Sequence, residues 1–241
     1  MGRDAMKLRL KNLHLHQGTF DLEIDLEIDG QVIGIFGGSG AGKTSLLEVV
    51  AGLRKPASAL IAIDDLVLID SGNHLFRAPE KRGVGYVPQD LALFPHLSVR
   101  KNLLYGCRPG GDTLPGINLS HVASVLEIES LLDRSISALS GGQKQRVAFA
   151  RAILASPRLL LMDEPLASLD DDLKWKIIPY LKRIRDEFKI PMLYVSHAPD
   201  EVIALCDQVI VLRNGKCVRT SAPGEIFEAS ISMALKPDIL E

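Results

Sequence analysis

The sequence lacks the marks of several protein classes, and each absence narrows the field. Only three cysteines, Cys107, Cys206 and Cys217, occur among 241 residues. An odd number without metal-like spacing excludes a full disulfide framework and reads as free thiols in a reducing compartment. No charge of one sign dominates, since 28 Lys and Arg stand against 30 Asp and Glu, scattered rather than in blocks. That balance gives no support for a nucleic-acid or lipid surface. Nothing approaches the roughly 18 apolar residues of a membrane span; residues 147–162 come nearest, broken by Arg151, Pro157 and Arg158. Met1 to Met6 carries no signal-peptide apolar run. There is no internal repeat and no low-complexity tract. The absences imply a soluble, cytoplasmic protein with ample length to bury a core.

What is present is an α/β pattern. Phe20 to Ile28 alternates Leu22, Ile24, Leu26 and Ile28 with Asp21, Glu23, Asp25 and Glu27, predicting a strand with one wet face. Asp29-Gly30 turns into Val32 to Phe36, a short apolar run suited to a buried parallel strand. A helix is expected from Gly42 to Leu53, then strands at 60–63, 67–69 and 84–87. From Asp90 to Pro157 the texture becomes helices and loops, with helical spacing at 122–132 and 143–155. Breakers stand at Pro109-Gly110-Gly111-Asp112 and Leu114-Pro115-Gly116. Strands are expected again at 159–162, 192–196, 208–213 and 216–220. Asp172 to Phe188 reads as a helix that Pro179 should kink or divide.

Gly37-Gly38-Ser39-Gly40-Ala41-Gly42-Lys43-Thr44, followed by Ser45, is a complete phosphate-binding loop between a predicted strand and a predicted helix. Small residues let the backbone curl so that successive N–H groups meet phosphate oxygens, and the helix N-terminus adds positive potential. Lys43 supplies a point charge to the β- and γ-phosphates of a nucleoside triphosphate, and the Thr44 hydroxyl can ligate Mg²⁺. Further on, Leu159 to Met162 is a buried strand that delivers Asp163 and Glu164 to its C-terminal end, the ligand-binding edge of an open α/β sheet. Two carboxylates there can simply cap the next turn. Beside a phosphate loop, Asp163 reads as a Mg²⁺ ligand acting through water and Glu164 as the general base for the attacking water.

Leu139-Ser140-Gly141-Gly142-Gln143 reads by itself as a helix N-cap or an anion site. The full stretch Leu139 to Arg146 (LSGGQKQR), in order after the phosphate loop, makes the chain resemble the ATP-binding cassette (ABC) ATPases over essentially its whole length. The resemblance implies a P-loop fold with a mostly parallel core, an N-terminal antiparallel β portion and an inserted helical subdomain. The implied division is 1–89 and 158–225 for the nucleotide-binding core, 90–157 for the helical insertion and 226–241 for a C-terminal tail. It implies ATP and Mg²⁺ as cofactors, and a head-to-tail homodimer in which Ser140, Gly141, Gly142 and Gln143 contact the γ-phosphate held by the second copy. By position, Gln89 resembles the glutamine that reaches Mg²⁺ and the attacking water. Asp170, in Ser168-Leu169-Asp170, resembles the loop that couples the two sites, and His197 resembles the histidine that bonds the γ-phosphate. Members usually stack an aromatic residue on adenine near the N-terminus; here His16 is the candidate and Phe20 the fallback.

Leu91, Leu93, Phe94, Pro95 and Leu97 fall where the family docks helices of membrane permease subunits, although an apolar cluster is also what a core contains. The stretches 40–45, 179–181 and 190–197 resemble ATPases of molybdate importers. The implied role is the ATP-hydrolysing subunit of an importer, peripheral on the inner face of the membrane, served indirectly by a solute-binding protein. Molybdate or a related oxyanion is the expected solute. The alternatives are an importer for sulfate, a metal, a sugar or an amino acid, or a soluble non-transport ABC ATPase. Many molybdate-type ATPases continue into an oxyanion-binding regulatory domain, and this sequence ends at Glu241. It is therefore expected to be a short form or a relative serving another solute.

Overall fold

The computed structural model describes residues 5–107 and 117–227. One sheet of eleven strands organises them, in the order β6-β5-β4-β1-β2-β11-β10-β3-β9-β8-β7. Its antiparallel arm contains β1 (Met6–Gln17), β2 (Phe20–Gly30), β4 (Ser58–Ile63), β5 (Leu66–Asp70) and β6 (Leu75–Phe76). The parallel half contains β3 (Val32–Phe36), β7 (Val84–Val87), β8 (Leu159–Asp163), β9 (Met192–Ser196) and β10 (Gln208–Arg213). β11 (Lys216–Ser221) pairs antiparallel with β10 and touches β2 in parallel, joining the two halves.

β2 keeps the expected alternation, with Leu22, Ile24, Leu26 and Ile28 buried and the intervening acids exposed. β1 and β6 are not among the expected strands. In β1 the buried series Met6, Leu8, Leu10 slips to Leu13 and Leu15 across a bulge, where Asn12 takes a φ of 48°. One extra residue changes the parity of the pattern, so a strict period of two does not run through it.

The parallel strands are buried on both faces. Successive residues alternate between two cores: Leu160, Met162, Met192 and Tyr194 face one, and Leu159, Leu161, Leu193 and Val195 the other. The first core is closed by α4 (Gly141–Leu154), α5 (Asp171–Phe188) and α6 (Pro199–Leu205), the second by α1 (Lys43–Ala51) and the antiparallel arm. Between β7 and β8 the described residues hold no strand, only α2 (Val99–Leu104), α3 (Leu119–Val125), α4 and short 3₁₀ turns. The breakers from Pro109 to Gly116 lie outside the described residues, as do 228–241 of the expected tail. Among the described residues no helix is long and apolar enough to cross a membrane.

Two expected helices differ. The stretch 122–132 is not one helix, because α3 stops at Val125 and a 3₁₀ turn follows at Glu129–Leu131. Glu127 takes a φ of 53°, Ile128 N–H returns to Ala123 O and Glu127 N–H to Ser124 O, which is a Schellman stop. The break lets both Leu126 and Ile128 enter the core. Conversely, Pro179 does not divide α5, which runs unbroken for 18 residues. The ring sits on the exposed side, and the buried row Ile177, Ile178, Leu181 and Ile184 holds the helix down. Lacking an N–H, Pro179 makes no hydrogen bond to the Trp175 carbonyl. Pro179→Ala should therefore restore that bond without removing packing, stabilising the fold by on the order of 2 kcal/mol. A higher urea midpoint at unchanged slope is the expected result, and an unchanged or lower midpoint would show that the proline fits its place.

Candidate functional site

The register of the parallel strands brings the functional loops to one edge. Phe36 pairs with Ser196, Val195 with Asp163 and Met162 with Val87, so β3, β9, β8 and β7 finish nearly flush. The loops leaving them carry residues 37–44, His197, Glu164 and Gln89. They enclose a cleft of ≈ 850 Å³ lined by residues 38–45 together with Gln17, Phe20, Gln89, Glu164 and His197.

The loop is built to present backbone. Gly40 and Gly42 have φ values of 74° and 100°, a left-handed region costly for other residues. A side chain on Gly42 would also meet the Phe20 ring at 2.8 Å and Leu22 at 2.9 Å, and one on Gly37 would meet the Leu212 carbonyl at 2.4 Å. No side chain caps α1, and its first turn has no acidic residue. Its leading N–H groups and dipole therefore point into the cleft, an arrangement that attracts phosphate. Lys43 is buried; its Nζ donates to Gly37 O at 2.9 Å and Gly38 O at 3.0 Å and lies 3.4 Å from Glu164 Oε1.

Thr44 Oγ1 donates to Asp163 Oδ1 at 3.1 Å, and the Tyr86 hydroxyl donates to Asp163 Oδ2 at 3.4 Å. Burial raises the Asp163 pKa, opposed by the Thr44 hydrogen bond and helped by the charge of Glu164. Glu164 sits at a φ of 45°, its N–H on Val195 O at 3.0 Å. That left-handed, hydrogen-bonded corner turns its carboxylate back over the loop. There Oε1 faces Lys43 and Oε2 lies 3.1 Å from His197 Nδ1. A carboxylate held between an ammonium and an imidazole, beside an array of backbone donors, is equipped to take a proton from water next to a phosphate.

The structure does not bring every expected residue to this cleft. His16 is exposed at the end of β1, with its ring against the Asp21 carboxylate, and does not line the cleft. Of the two residues expected as the adenine contact, only Phe20 lines the cleft: its position at the start of β2 turns its ring onto the loop, beside Gln17. Ser140 and Gln143 form a reciprocal cap at the start of α4: Gln143 N–H donates to Ser140 Oγ at 3.4 Å and Ser140 N–H to Gln143 Oε1 at 3.0 Å. Ser140 and Gly141 are exposed, Gly142 packs under Leu173, and none of the four lines the cleft of this chain. Asp170 caps α5, accepting from Leu173 N–H at 2.8 Å, and is likewise outside it.

Three residues that support the site were not legible as such. Tyr86 shares the strand parity of a residue reaching Asp163, but only pairing of β7 with β8 makes the contact. Glu201, buried at the start of α6, accepts from Ser196 Oγ at 2.8 Å and Tyr194 Oη at 2.9 Å, fixing the turn that carries His197. Gln145, buried in α4, donates to the Pro165 carbonyl and ties that helix to the loop after Glu164. The apolar run after Gln89 divides: Leu91 and Leu93 pack against the core, while Phe94 is half-buried and Pro95 exposed. Phe94 stacks at 4.2 Å on Tyr105, itself largely exposed next to exposed Leu104.

The family described as "ABC transporter" matches residues 21–167. The molybdenum import ATP-binding protein ModC of Pseudomonas aeruginosa is 47% identical over 98% of this chain, that of Rhizobium johnstonii 48% over 87%, and that of Pseudomonas fluorescens 44% over 97%. The chain spans 65%, 59% and 65% of the length of these three relatives. Among solved structures, cbiO1 of Clostridium perfringens, part of the transporter complex cbiONQ, superposes with a TM-score of 0.75 at 26% identity, covering 95% of this chain and 93% of that one. The ATP-binding cassette MJ0796, solved as a dimer bound to ADP and Pi, gives a TM-score of 0.70 at 25% identity, covering 90% and 98%.

The raised pKa of Asp163 has a consequence for stability. A carboxyl whose folded pKa exceeds its unfolded value of about 3.9 holds its proton more tightly when folded, so its contribution to stability falls as pH rises through that window. Above the window the ionised group destabilises the fold. Asp163→Asn should raise the melting temperature without added nucleotide at pH 7, with a smaller gain below about pH 4. A lower melting temperature at pH 7 would contradict the burial argument.

Proposed function

The chain belongs to the ABC transporter ATP-binding family, and from that premise we propose that it is the ATP-hydrolysing subunit of an importer for molybdate or a related oxyanion. The observation that carries the ATPase reading is the Glu164 carboxylate, set between Lys43 Nζ and His197 Nδ1 over a glycine loop that opens a helix. The loop N–H groups and Lys43 hold the β- and γ-phosphates of ATP. Phe20 offers a face to the base. Glu164 orients water for attack on the γ-phosphorus and accepts its proton, while His197 and Gln89 contact the γ-phosphate and the water.

Mg²⁺ fits the residues present. Thr44 and Asp163 offer hard oxygen donors that already meet at 3.1 Å. Among the described residues no three His, Cys, Asp or Glu side chains converge on a metal position, which suits an ion that completes its shell with phosphate oxygens and water. When bound it would neutralise charge developing on the phosphates.

Ser140 and Gly141 lie outside the cleft of their own chain and exposed, which supports a head-to-tail pair in which each copy completes the other's site. The dimeric MJ0796 structure supports the same reading. Exposed Leu104 and Tyr105 with half-buried Phe94, one loop away from Gln89, form the surface we assign to the permease subunits, with a solute-binding protein beyond them. Molybdate as solute is supported by the names of the curated relatives.

Glu164→Gln should bind ATP normally yet hydrolyse it roughly 10²–10⁴-fold more slowly, and should accumulate an ATP-bound dimer on size-exclusion chromatography. A loss under about tenfold would assign the base elsewhere, and a strictly monomeric profile would count against the paired site. Reconstituted with its permease and binding protein, the complex should show ATPase activity stimulated by molybdate-loaded binding protein. Stimulation by a sugar or amino acid, with none by molybdate, tungstate or sulfate, would refute the solute and leave the ATPase reading intact.

A further inference from the structure

A second cavity, of ≈ 510 Å³, lies at the opposite edge of the parallel sheet, where β7 and β8 begin. Strands of four or five residues separate it from the nucleotide cleft, about 15 Å at the usual rise per residue. Four cationic residues line it, Arg77, Lys81, Arg82 and Arg158, against one acidic residue, Glu80. None of the four cations makes an ion pair among the described residues.

Two of the cations, Arg77 and Arg82, are fixed by backbone carbonyls, while Lys81 and Arg158 stand exposed at the rim. Arg82 is almost wholly buried; its Nη1 donates to Val49 O and Val50 O, both at 2.8 Å, and its Nε to Arg77 O at 2.7 Å. Its guanidinium lies 4.8 Å from the Phe76 ring centre, and Gly52 leaves it room, since a side chain there would meet Nε at 2.5 Å. Arg77 Nε donates to Val67 O at 3.2 Å, which fixes a second guanidinium near the first. Burial, with the neighbouring charge of Arg77, lowers the pKa of Arg82 to about 10. Behind the lining, Arg82 Nη2 and the Ser156 hydroxyl are buried donors with no acceptor among the described residues, and Ser156 takes a left-handed φ of 51°. Like charges brought together around unpaired donors are costly unless an anion completes them.

We propose that this cavity is a second anion site, distinct from the nucleotide cleft, that takes a small phosphate ester. Arg77, Lys81 and Arg158 recognise the phosphate, with the buried Arg82 charge behind them. Leu66, Val84 and Leu154, on the same wall, suit an apolar remainder. The volume favours an ester over a bare oxyanion, since cavities of roughly 300–1,000 Å³ hold whole small molecules.

The test titrates the protein, its nucleotide cleft saturated with ADP, with phenyl phosphate and separately with inorganic phosphate, by calorimetry. Phenyl phosphate should bind at one site without displacing ADP, and more tightly than inorganic phosphate. Lys81→Gln combined with Arg158→Gln, both at exposed positions, should weaken it about tenfold or more while ADP affinity and melting temperature stay unchanged. Absence of binding, displacement of ADP, or an affinity unaffected by the double variant would overturn the site. Equal affinity for the two probes would overturn the ester assignment. If the double variant melts early, Arg158→Gln alone is measured, with a weaker but still resolvable loss expected.

Discussion

The ammonium of Lys43 is the interaction on which the site depends. It is buried, and its partners come from two places in the chain: the carbonyls of Gly37 and Gly38 just after β3, and the carboxylate of Glu164 just after β8. A buried charge without partners costs several kcal/mol. The contact therefore exists only while β3, β9 and β8 keep their register. The register in turn depends on strands packed on both faces, which is why β8 is buried along its whole length. Lys43 thus links the geometry of the loop to the integrity of the sheet.

The helices serve that sheet unequally. α1 begins at the phosphate loop and packs on the antiparallel arm, while Arg82 closes its other end by taking the Val49 and Val50 carbonyls. α4 begins with the capping pair Ser140 and Gln143 and is anchored elsewhere. Gln145 holds the Pro165 carbonyl, Arg146 lies over the Tyr180 ring, and Arg151 donates to the carbonyls of Leu91 and Ala92. Leu91 and Ala92 both have left-handed backbones, and Arg151 braces them. One helix is thereby fastened to the loop after the acidic pair, to α5 and to the segment after Gln89. The exposed Ser140–Gly141 end thus belongs to a helix tied to all three.

Much of this was legible in the residues. The phosphate loop announces itself because the chemistry demands glycine at positions of positive φ and close approach, and glycine is visible in a sequence. β2 is legible because one face is wet, and β3 and β8 because neither is. Less legible were β1, where a bulge at Asn12 breaks parity, the Schellman stop at Glu127, where a non-glycine residue takes the left-handed cap, and the continuity of α5 through Pro179. In each case packing of a buried row overrides a local rule.

The sequence by itself determined which groups are available: a loop of N–H donors, an ammonium, a hydroxyl, paired carboxylates and a histidine. It also determined, by periodicity, that they stand at strand ends. Which of them meet was decided only by tertiary structure. Phe20 rather than His16 faces the cleft because the hairpin turns one ring onto Gly42 and leaves the other beside Asp21 in solvent. Tyr86 reaches Asp163 because β7 pairs with β8, and Glu201 steadies His197 because α6 folds back on the end of β9. Local chemistry is written residue by residue, whereas a contact between distant residues depends on register, and register is a property of the assembled sheet.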